Sequence, residues 1–361
     1  MRGLARVREV FSAGRPLAGW TVLLHMHLTR ETLALGEVLA AGGACPVFLP
    51  SNRNPAPDAV CRDARGLGVL LDSLGEVPGA IGTAQTLVVE GNGRVFEELH
   101  RDPPSPLDGR VAGISEHTSG GGRIVDRFDP SGIRVPVVAV YNDPLKAELE
   151  TGLGTSQTVL AALLRGLGRP VAGRRAVVIG YGNVGRGVAR CLRILGARVT
   201  VVETAGAARL QARLAGFPLA DLANCLPEAE LCLTTTGSDG VITADHLAAV
   251  REGLVLANVS NRPKEIDLAG CDRIGAEPPE AAGPFSFWSC GGGPVFGLLG
   301  GGLQVNHVLE EGNPEELMDL SFTLHALVLR WLAAERPAPG LHPIPDRLRQ
   351  AAAELVLGGR S

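Results

Sequence analysis

The sequence predicts an α/β protein of two domains, a Rossmann-type dinucleotide-binding domain inserted in a discontinuous α/β substrate domain. Three observations lead there. At 361 residues the chain exceeds one average domain of about 150 residues and has room for two or three. Its first ~140 residues alternate short apolar strands with a segment of helical period. At Arg174 a second α/β unit begins, and a glycine-rich turn joins its first strand to a helix.

Residues 22–49 read as a strand ending near His25, a helix from Thr29 to Ala41, a glycine stop and a second strand. Leu33, Leu35, Val38 and Leu39 lie at roughly helical spacing, and strand–helix–strand order implies parallel pairing. Further strands are expected at Gly68–Leu71, Thr86–Val89 and Val135–Val140, with a surface loop over 101–110. A polar, glycine-bearing stretch, Glu148–Ser156, leads into a helix from Gln157 to Gly166. The second unit runs to about residue 280. Ser289–Leu303, with two glycine triplets, reads as a hairpin or loop and not as a phosphate cradle, because no helix start follows it. A long apolar helix, 315–334, returns to the first domain, and four prolines then link to a helix over 346–357. The expected limits are 1–150 and 313–340 for the substrate domain, 151–312 for the dinucleotide domain and 341–361 for a short tail.

Composition excludes several classes. Hydrophobic residues are 45% and charged residues 20%, enough for a sizeable core, and Gly (48) and Pro (25) indicate many turns rather than disorder. A net charge of −4 gives no basic footprint for nucleic acid. No run approaches the ~20 apolar residues of a membrane span, and Met1–Trp20 lacks the apolar stretch of a secretory signal. The seven cysteines are scattered and never form C-x-x-C, so reduced thiols in a cytoplasmic protein are expected, without disulfides or a metal site.

The strongest motif is RRAVVIGYGNVGRGVARCLRILGARVTVVE, residues 174–203. A strand over Ala176–Ile179 runs into Gly180-x-Gly182-x-x-Gly185, a helix follows to Leu195, and a second strand ends at Glu203. Gly180 permits the tight turn, Gly182 lets backbone approach a pyrophosphate, and Gly185 lets helix and strand pack closely. The helix N-terminus offers unpaired N–H groups and positive dipole, with Asn183 and Val184 in its first turn. Glu203 accepts from a ribose 2′-hydroxyl and repels a 2′-phosphate, which selects NAD. Downstream, LCLTTTG (231–237) places threonine hydroxyls at a strand's carboxyl end, where ligands bind.

Taken with HLTRET (27–32), GISEHTS (113–119), YNDPLK (141–146), GYGNVGRG (180–187), LTTTG (233–237), NVSNRPKEID (258–267), VN (305–306), NPEELMDLSF (313–322) and LHPIPDRL (341–348), the chain resembles the S-adenosyl-L-homocysteine hydrolases along nearly its whole length. The resemblance implies tightly held NAD and a redox-neutral cycle: oxidation of a nucleoside 3′-hydroxyl, loss of the 4′-proton, elimination of the 5′ substituent, addition of water and return of the hydride. It makes Lys146 the catalytic lysine, supported by Glu150 at the 3′-hydroxyl. His27 and Glu90 become the acid and base near C4′–C5′, although a Glu before Gly-Asn-Gly is also ordinary turn chemistry. Thr29 and Glu31 would contact adenine, and Asn142, Asn313 and Met318 complete the substrate side. Thr118, Ser119, Thr235, Thr236, Asn258, Asn261 and Asn306 join the glycines and Glu203 as cofactor contacts, Asn306 on the nicotinamide carboxamide. The resemblance also implies a homo-oligomer, dimer or tetramer, with a small-molecule substrate.

Departures from the family pattern gather where substrate would sit. His117 stands where the family has a Glu that binds ribose hydroxyls, and Glu150-Thr151 replaces Asp-Asn. One residue is missing between Asn142 and Lys146. Asn261 replaces a cofactor-side histidine, Gly312–Glu316 lacks the gate histidine, and no C-terminal Lys/Tyr extension follows LHPIPDRL. These departures lead to the expectation of a divergent member that keeps oxidation and deprotonation but ends at elimination, a lyase or dehydratase of an adenine nucleoside in natural-product metabolism. The alternatives are a true S-adenosyl-L-homocysteine hydrolase, a dehydrogenase that releases NADH, and an NAD-binding regulatory protein without activity.

Overall fold

In the computed structural model, residues 1–51, 56–274, 284–310 and 312–358 are described. Along the chain, the first stretch comprises α1 (Arg2–Gly14), β1 (Thr21–His25), α2 (Arg30–Ala41), β2 (Cys45–Phe48), α3 (Asp58–Leu67), β3 (Val69–Leu70), α4 (Val77–Ile81), β4 (Thr86–Glu90), α5 (Arg94–Leu99), β5 (Val111–Glu116), α6 (Ser119–Val125) and β6 (Pro136–Ala139). The middle stretch comprises α7 (Thr155–Leu167), β7 (Arg175–Ile179), α8 (Asn183–Ile194), β8 (Arg198–Val202), α9 (Gly206–Leu214), α10 (Leu222–Cys225), β9 (Leu231–Thr234), α11 (Ala244–Ala248), β10 (Val255–Asn258), β11 (Cys271–Ile274), β12 (Phe285–Cys290), β13 (Phe296–Gln304) and α12 (Val305–Val308). The last stretch is α13 (Glu315–Glu335), β14 (Gly340–His342) and α14 (Asp346–Leu357).

Two compact units result: Met1–Lys146 with Glu315–Ser361, and Ala147–Pro314. The first holds a seven-stranded, all-parallel sheet in the order β14-β6-β5-β4-β1-β2-β3. Its strands are continuous apolar runs because helices cover both faces. One face packs under α1, α2, α13 and α14 through Phe11, Leu35, Phe322 and Leu329, and the other packs under α4–α6 through Val77, Phe96 and Val125.

The second unit holds the order β11-β12-β13-β10-β9-β7-β8, parallel from β13 to β8 and antiparallel across β11, β12 and β13. Its faces pack separately, through Val178, Leu192 and Leu233 on one side and Val177, Leu256 and Leu298 on the other.

The structure corrects several expectations. Over its described residues the expected 341–361 tail is part of the first unit: Gly340–His342 pairs with Pro136–Val138 at the edge of the first sheet, and α14 packs on α1 and α13. The four prolines read as a linker because a three-residue edge strand carries almost no pattern. The boundaries fall at 146/147 and 314/315 rather than at 150/151 and 312/313. Glu148–Ser156 is helical, a wide turn over Lys146–Gly154 that runs into α7. Ser289–Leu303 is hairpin-like through β12 and β13, yet a helix does follow it, α12.

Cys271 and Cys290 form a disulfide, contrary to the expectation of reduced thiols, because the antiparallel register sets them opposite each other with Cα atoms 4.1 Å apart. That proximity is invisible in a separation of 19 residues. Finally, α13 is a 21-residue helix apolar enough to span a bilayer by length and composition. Its buried side chains, Asp319 to Leu329 and Leu332, join the core of the first unit, and they include the polar Asp319, Ser321, Thr323 and His325. Asp319 accepts from the N–H groups of Gly3 (2.7 Å) and Leu4 (2.9 Å), so it caps α1 from another helix.

Candidate active site

In the first unit the register aligns three ionisable residues at the carboxyl ends of adjacent strands. His25 of β1 pairs with Glu90 of β4, and Glu90 with Glu116 of β5. Strand ends of open parallel sheets are where such folds bind ligands. All three residues are buried. Glu90 accepts from His25 Nδ1 (2.8 Å), the Asn92 N–H (3.1 Å) and the Val95 N–H (2.8 Å). Both its oxygens thus take part in turn chemistry and in holding His25, at the strand end where the sequence places an acid or base for C4′–C5′. Sequence reasoning missed His25 and Glu116; the available signal was a His or Glu closing each of three apolar runs.

Glu116 differs from Glu90. Its Oε1 accepts from the N–H (3.0 Å) and hydroxyl (3.3 Å) of Thr118, whereas its Oε2 is buried without a hydrogen-bond partner among the described residues. Burial, then the neighbouring Glu90 charge, holds its carboxyl well above the usual carboxylate range, against the Thr118 bonds and the Lys146 charge. The folded chain thus binds this proton more tightly than the unfolded chain. Stability from Glu116 is full below the ordinary carboxylate pKa of about 4.3 and is lost as pH rises through the elevated folded value. Glu116→Gln is expected to be more stable than the parent at pH 8 by about 1–3 kcal/mol. Thermal melts across pH should show that gap closing below about pH 4.

The other predicted residues of this unit occupy varied positions. Lys146 is buried and lies close enough to Glu116 to stabilise its charge. His27 is half-buried just beyond β1, and its carbonyl accepts from the Thr32 hydroxyl at 2.7 Å. Thr29 is the N-cap of α2, its hydroxyl accepting from the Thr32 N–H, and Glu31 is half-buried in the first turn. Thr118 caps α6 and donates to the Gly91 carbonyl at 2.8 Å, while Ser119 is exposed at the helix start. Asn142 is exposed in a short turn, and Met318 is half-buried against the helical side of the core. His117 Nδ1 lies 2.9 Å from His325 Nε2.

In the second unit, Gly180 adopts φ +96°, a left-handed conformation that suits glycine. A Cβ on Gly185 would lie 2.1 Å from the Gly180 carbonyl oxygen, so α8 crosses β7 at backbone contact. A Cβ on Gly182, the N-cap of α8, would meet nothing within 4 Å, so the helix start faces open space. Asn183 and Val184 are half-buried in that first turn, and Asn183 accepts from Arg186.

Glu203 stands one residue past β8 and accepts from the N–H groups of Tyr181 (2.7 Å), Thr204 (2.7 Å) and Ala205 (2.9 Å). This fixes the carboxylate beside the glycine turn. Thr235 donates to the Ile179 carbonyl at 2.8 Å, and Thr236 donates to the buried Glu265 through both N–H and hydroxyl at 2.7 Å. Glu265 was not anticipated; it anchors the Thr236–Gly237 turn.

Asn258 corrects the prediction. Its amide donates to the carbonyls of Gly302 (2.9 Å) and Arg262 (3.0 Å) and accepts from Thr234 (3.2 Å) and the Ser260 N–H (2.9 Å), so it braces the strand ends rather than offering an amide to a cofactor. Asn261 is exposed in the turn that Asn258 braces. Glu150 accepts from Asn313 Nδ2 (3.4 Å), whose Oδ1 accepts from Thr155 (3.0 Å), so these predicted residues do meet.

Asn306 is wholly buried and donates to Thr158 at 3.4 Å, but its Oδ1 has no hydrogen-bond partner among the described residues. A buried amide oxygen without a donor, an open helix N-terminus over a glycine turn, and a strand-end carboxylate together fit a dinucleotide with a carboxamide. Residues 152–306 match the model of the S-adenosyl-L-homocysteine hydrolase NAD-binding domain. Over 92% of the chain and 82% of the relative, the sequence is 31% identical to an adenosylhomocysteinase of Sulfolobus acidocaldarius. It is 30% identical to an S-inosyl-L-homocysteine hydrolase of Methanopyrus kandleri, over 98% of the chain and 86% of that protein.

The chain belongs to the S-adenosyl-L-homocysteine hydrolase family. It is an enzyme of that type, and its cofactor is NAD. In this hydrolase-family chain Gly182 and the first turn of α8 would hold the pyrophosphate, Glu203 the adenosine ribose and Asn306 the carboxamide. Asn306→Leu is expected to lower NAD affinity about tenfold, the value of roughly one hydrogen bond to a buried group. Titration of the NAD-free protein with the cofactor measures it.

Proposed function

We propose that the chain catalyses an NAD-dependent, redox-neutral elimination at the 5′ side of an adenine nucleoside. Bound NAD supplies a reversible hydride acceptor for C3′. The protein supplies the proton handling. Lys146 with Glu150 takes the proton of the 3′-hydroxyl, and the resulting acidity at C4′ lets a base remove the 4′-proton. The C5′ substituent then leaves with its bonding electron pair and receives a proton, the step assigned to His27. Glu90 acts as a positioning residue through His25 and the 91–95 turn. Once the hydride has returned to C3′ and a proton to its oxygen, the net change where the leaving group is a hydroxyl is loss of one water and formation of an exocyclic alkene.

One contrast carries this reading. The cofactor half keeps the glycine turn, the Glu203 carboxylate and the buried Asn306 amide, whereas the sugar-side strand end carries His117, tied to His325, in place of an expected carboxylate. A second reading, hydrolysis of a nucleosyl-homocysteine thioether, is favoured by the relatives, which include both adenosine and inosine forms by name. Mass spectrometry of NAD-loaded protein incubated with a panel of adenine nucleosides and with S-adenosyl-L-homocysteine separates them. A product lighter by one water supports elimination. Rapid release of adenosine and homocysteine, with no dehydrated product, removes the first reading in favour of the second.

A further inference from the structure

β7 and β8 are parallel neighbours, and their register sets Arg175 beside Arg198 where the two strands begin. Like charges at neighbouring strand positions repel. Arg175 is offset by Glu228: its Nε donates to the Glu228 carbonyl at 2.6 Å, and its Nη2 lies 3.7 Å from the Glu228 carboxylate. The exposed Arg198 guanidinium has no hydrogen-bond or ion-pair partner among the described residues.

A cavity of about 380 Å³ lies at this edge of the second unit. Its walls come from the first residues of β7 and β8, the turn 216–218 after α9 and the turn 225–229 after α10. The buried Ala176, Val199 and Phe217 give it an apolar floor. Arg193 forms one wall and is held twice. Its guanidinium carbon lies 4.1 Å from the centre of the Phe217 ring, and its Nη1 donates to the Ala215 carbonyl at 2.7 Å. Arg175, Arg193 and Arg198 thus meet a single carboxylate, Glu228, in the lining of this cavity, although the whole chain carries a net charge of −4.

The cavity is separate from the dinucleotide site. The glycine turn and Glu203 follow the carboxyl ends of β7 and β8, whereas the cavity lies at their amino ends. From Arg175 to Ile179 the strand covers about 13 Å. The volume suits a small molecule. An apolar floor takes an apolar body, and a guanidinium without a protein partner takes a carboxylate or phosphate through two N–H groups. Glu228 occupies Arg175, which directs the anionic group to Arg198.

We propose that this cavity binds a small organic anion, a phosphate ester or a carboxylate, whose charged group meets Arg198 and whose apolar body rests on Ala176, Val199 and Phe217.

Isothermal titration of NAD-loaded protein with phenyl phosphate, benzoate, inorganic phosphate and the neutral benzyl alcohol tests the site. One of the two aromatic anions is expected to bind at least about tenfold tighter than both inorganic phosphate and benzyl alcohol. Phenyl phosphate ahead of benzoate assigns a phosphate ester, and the reverse assigns a carboxylate. Arg198→Gln should weaken that anion about tenfold, and Arg198→Lys, which keeps the charge without the fork, should weaken it less. Both variants should keep the parent's melting temperature and NAD affinity, because the Arg198 side chain holds no described protein group.

Cys225 reports where the anion sits. It lines the cavity and is half-buried, while the exposed Cys45 of the first unit serves as control. The bound anion should slow alkylation of Cys225 by N-ethylmaleimide about threefold or more and leave Cys45 unchanged, as read by peptide mass spectrometry. Dissociation constants above about 10 mM for both aromatic anions overturn the proposal. So does benzyl alcohol binding as tightly as the anions, affinity unmoved by Arg198→Gln, or Cys225 alkylation unmoved at saturation.

Discussion

Gly185→Val is expected to lower NAD affinity about 1000-fold or more and to destabilise the second unit. The Cβ alone would lie 2.1 Å from the Gly180 carbonyl oxygen and 2.7 Å from the Thr235 hydroxyl. The first obstacle is backbone, so relief requires α8 to withdraw from β7, and its first-turn N–H groups withdraw with it. Several of the contacts that a pyrophosphate would make are then lost together, and three tenfold losses correspond to about 4 kcal/mol. Gly182→Ala is the control. Nothing in the protein lies within 4 Å of its Cβ, so the melting temperature should hold while NAD affinity falls because the ligand itself needs that space. Isothermal titration with NAD and calorimetric melts measure both. A Gly185→Val protein that binds NAD within tenfold of the parent would refute the backbone-contact account.

Glu90→Ala is expected to cost about 3–5 kcal/mol of stability, the range for removing one partner from a buried charged network. The variant strands the N–H groups of Asn92 and Val95 and leaves His25 without its acceptor. Glu90→Gln, which retains an acceptor oxygen, should recover part of the loss. Urea unfolding at pH 7 gives the numbers. If Glu90→Ala unfolds within about 1 kcal/mol of the parent, the carboxylate does not anchor this turn. Removing the Glu90 charge also takes away one cause of the raised Glu116 carboxyl, so the pH dependence of stability should flatten in the same variant.

How much of this was legible in the sequence depended on how local the cause was. The NAD motif was legible in full because turn, helix start and acidic strand end lie within thirty consecutive residues, and each glycine has a steric reason visible in its spacing. The resemblance supplied Lys146, Glu150 and Asn306, which no periodicity would select.

What failed to show was long-range. His25 looked like a strand terminus until the parallel register brought Glu90 beside it, 65 positions away. His325 looked like one polar residue in an apolar helix, and its partner Ser115 is 210 positions distant. Asn258 and Asn306 are the same residue type in neighbouring motifs. Only their hydrogen bonds separate them, one saturated by protein groups and the other with an oxygen unfilled. The three-residue β14 and the disulfide partner of Cys271 are likewise fixed by what lies opposite, not by what lies adjacent.

The closing of the first sheet by β14 and the packing of α14 on α1 bear on the order of synthesis. Residues 147–314 leave the ribosome as a complete folding unit while the first unit still lacks its central helix, its edge strand and the helix that covers its N-terminus. The cofactor-binding half can mature during translation, whereas the half bearing His25, Glu90 and Glu116 must wait with part of its apolar face uncovered. A nascent chain caught at that stage is the form in which chaperones would meet this protein. The adjacency of α1 and α14 also makes a circular permutant, with the two ends joined and new ends elsewhere, a practical way to reverse that order.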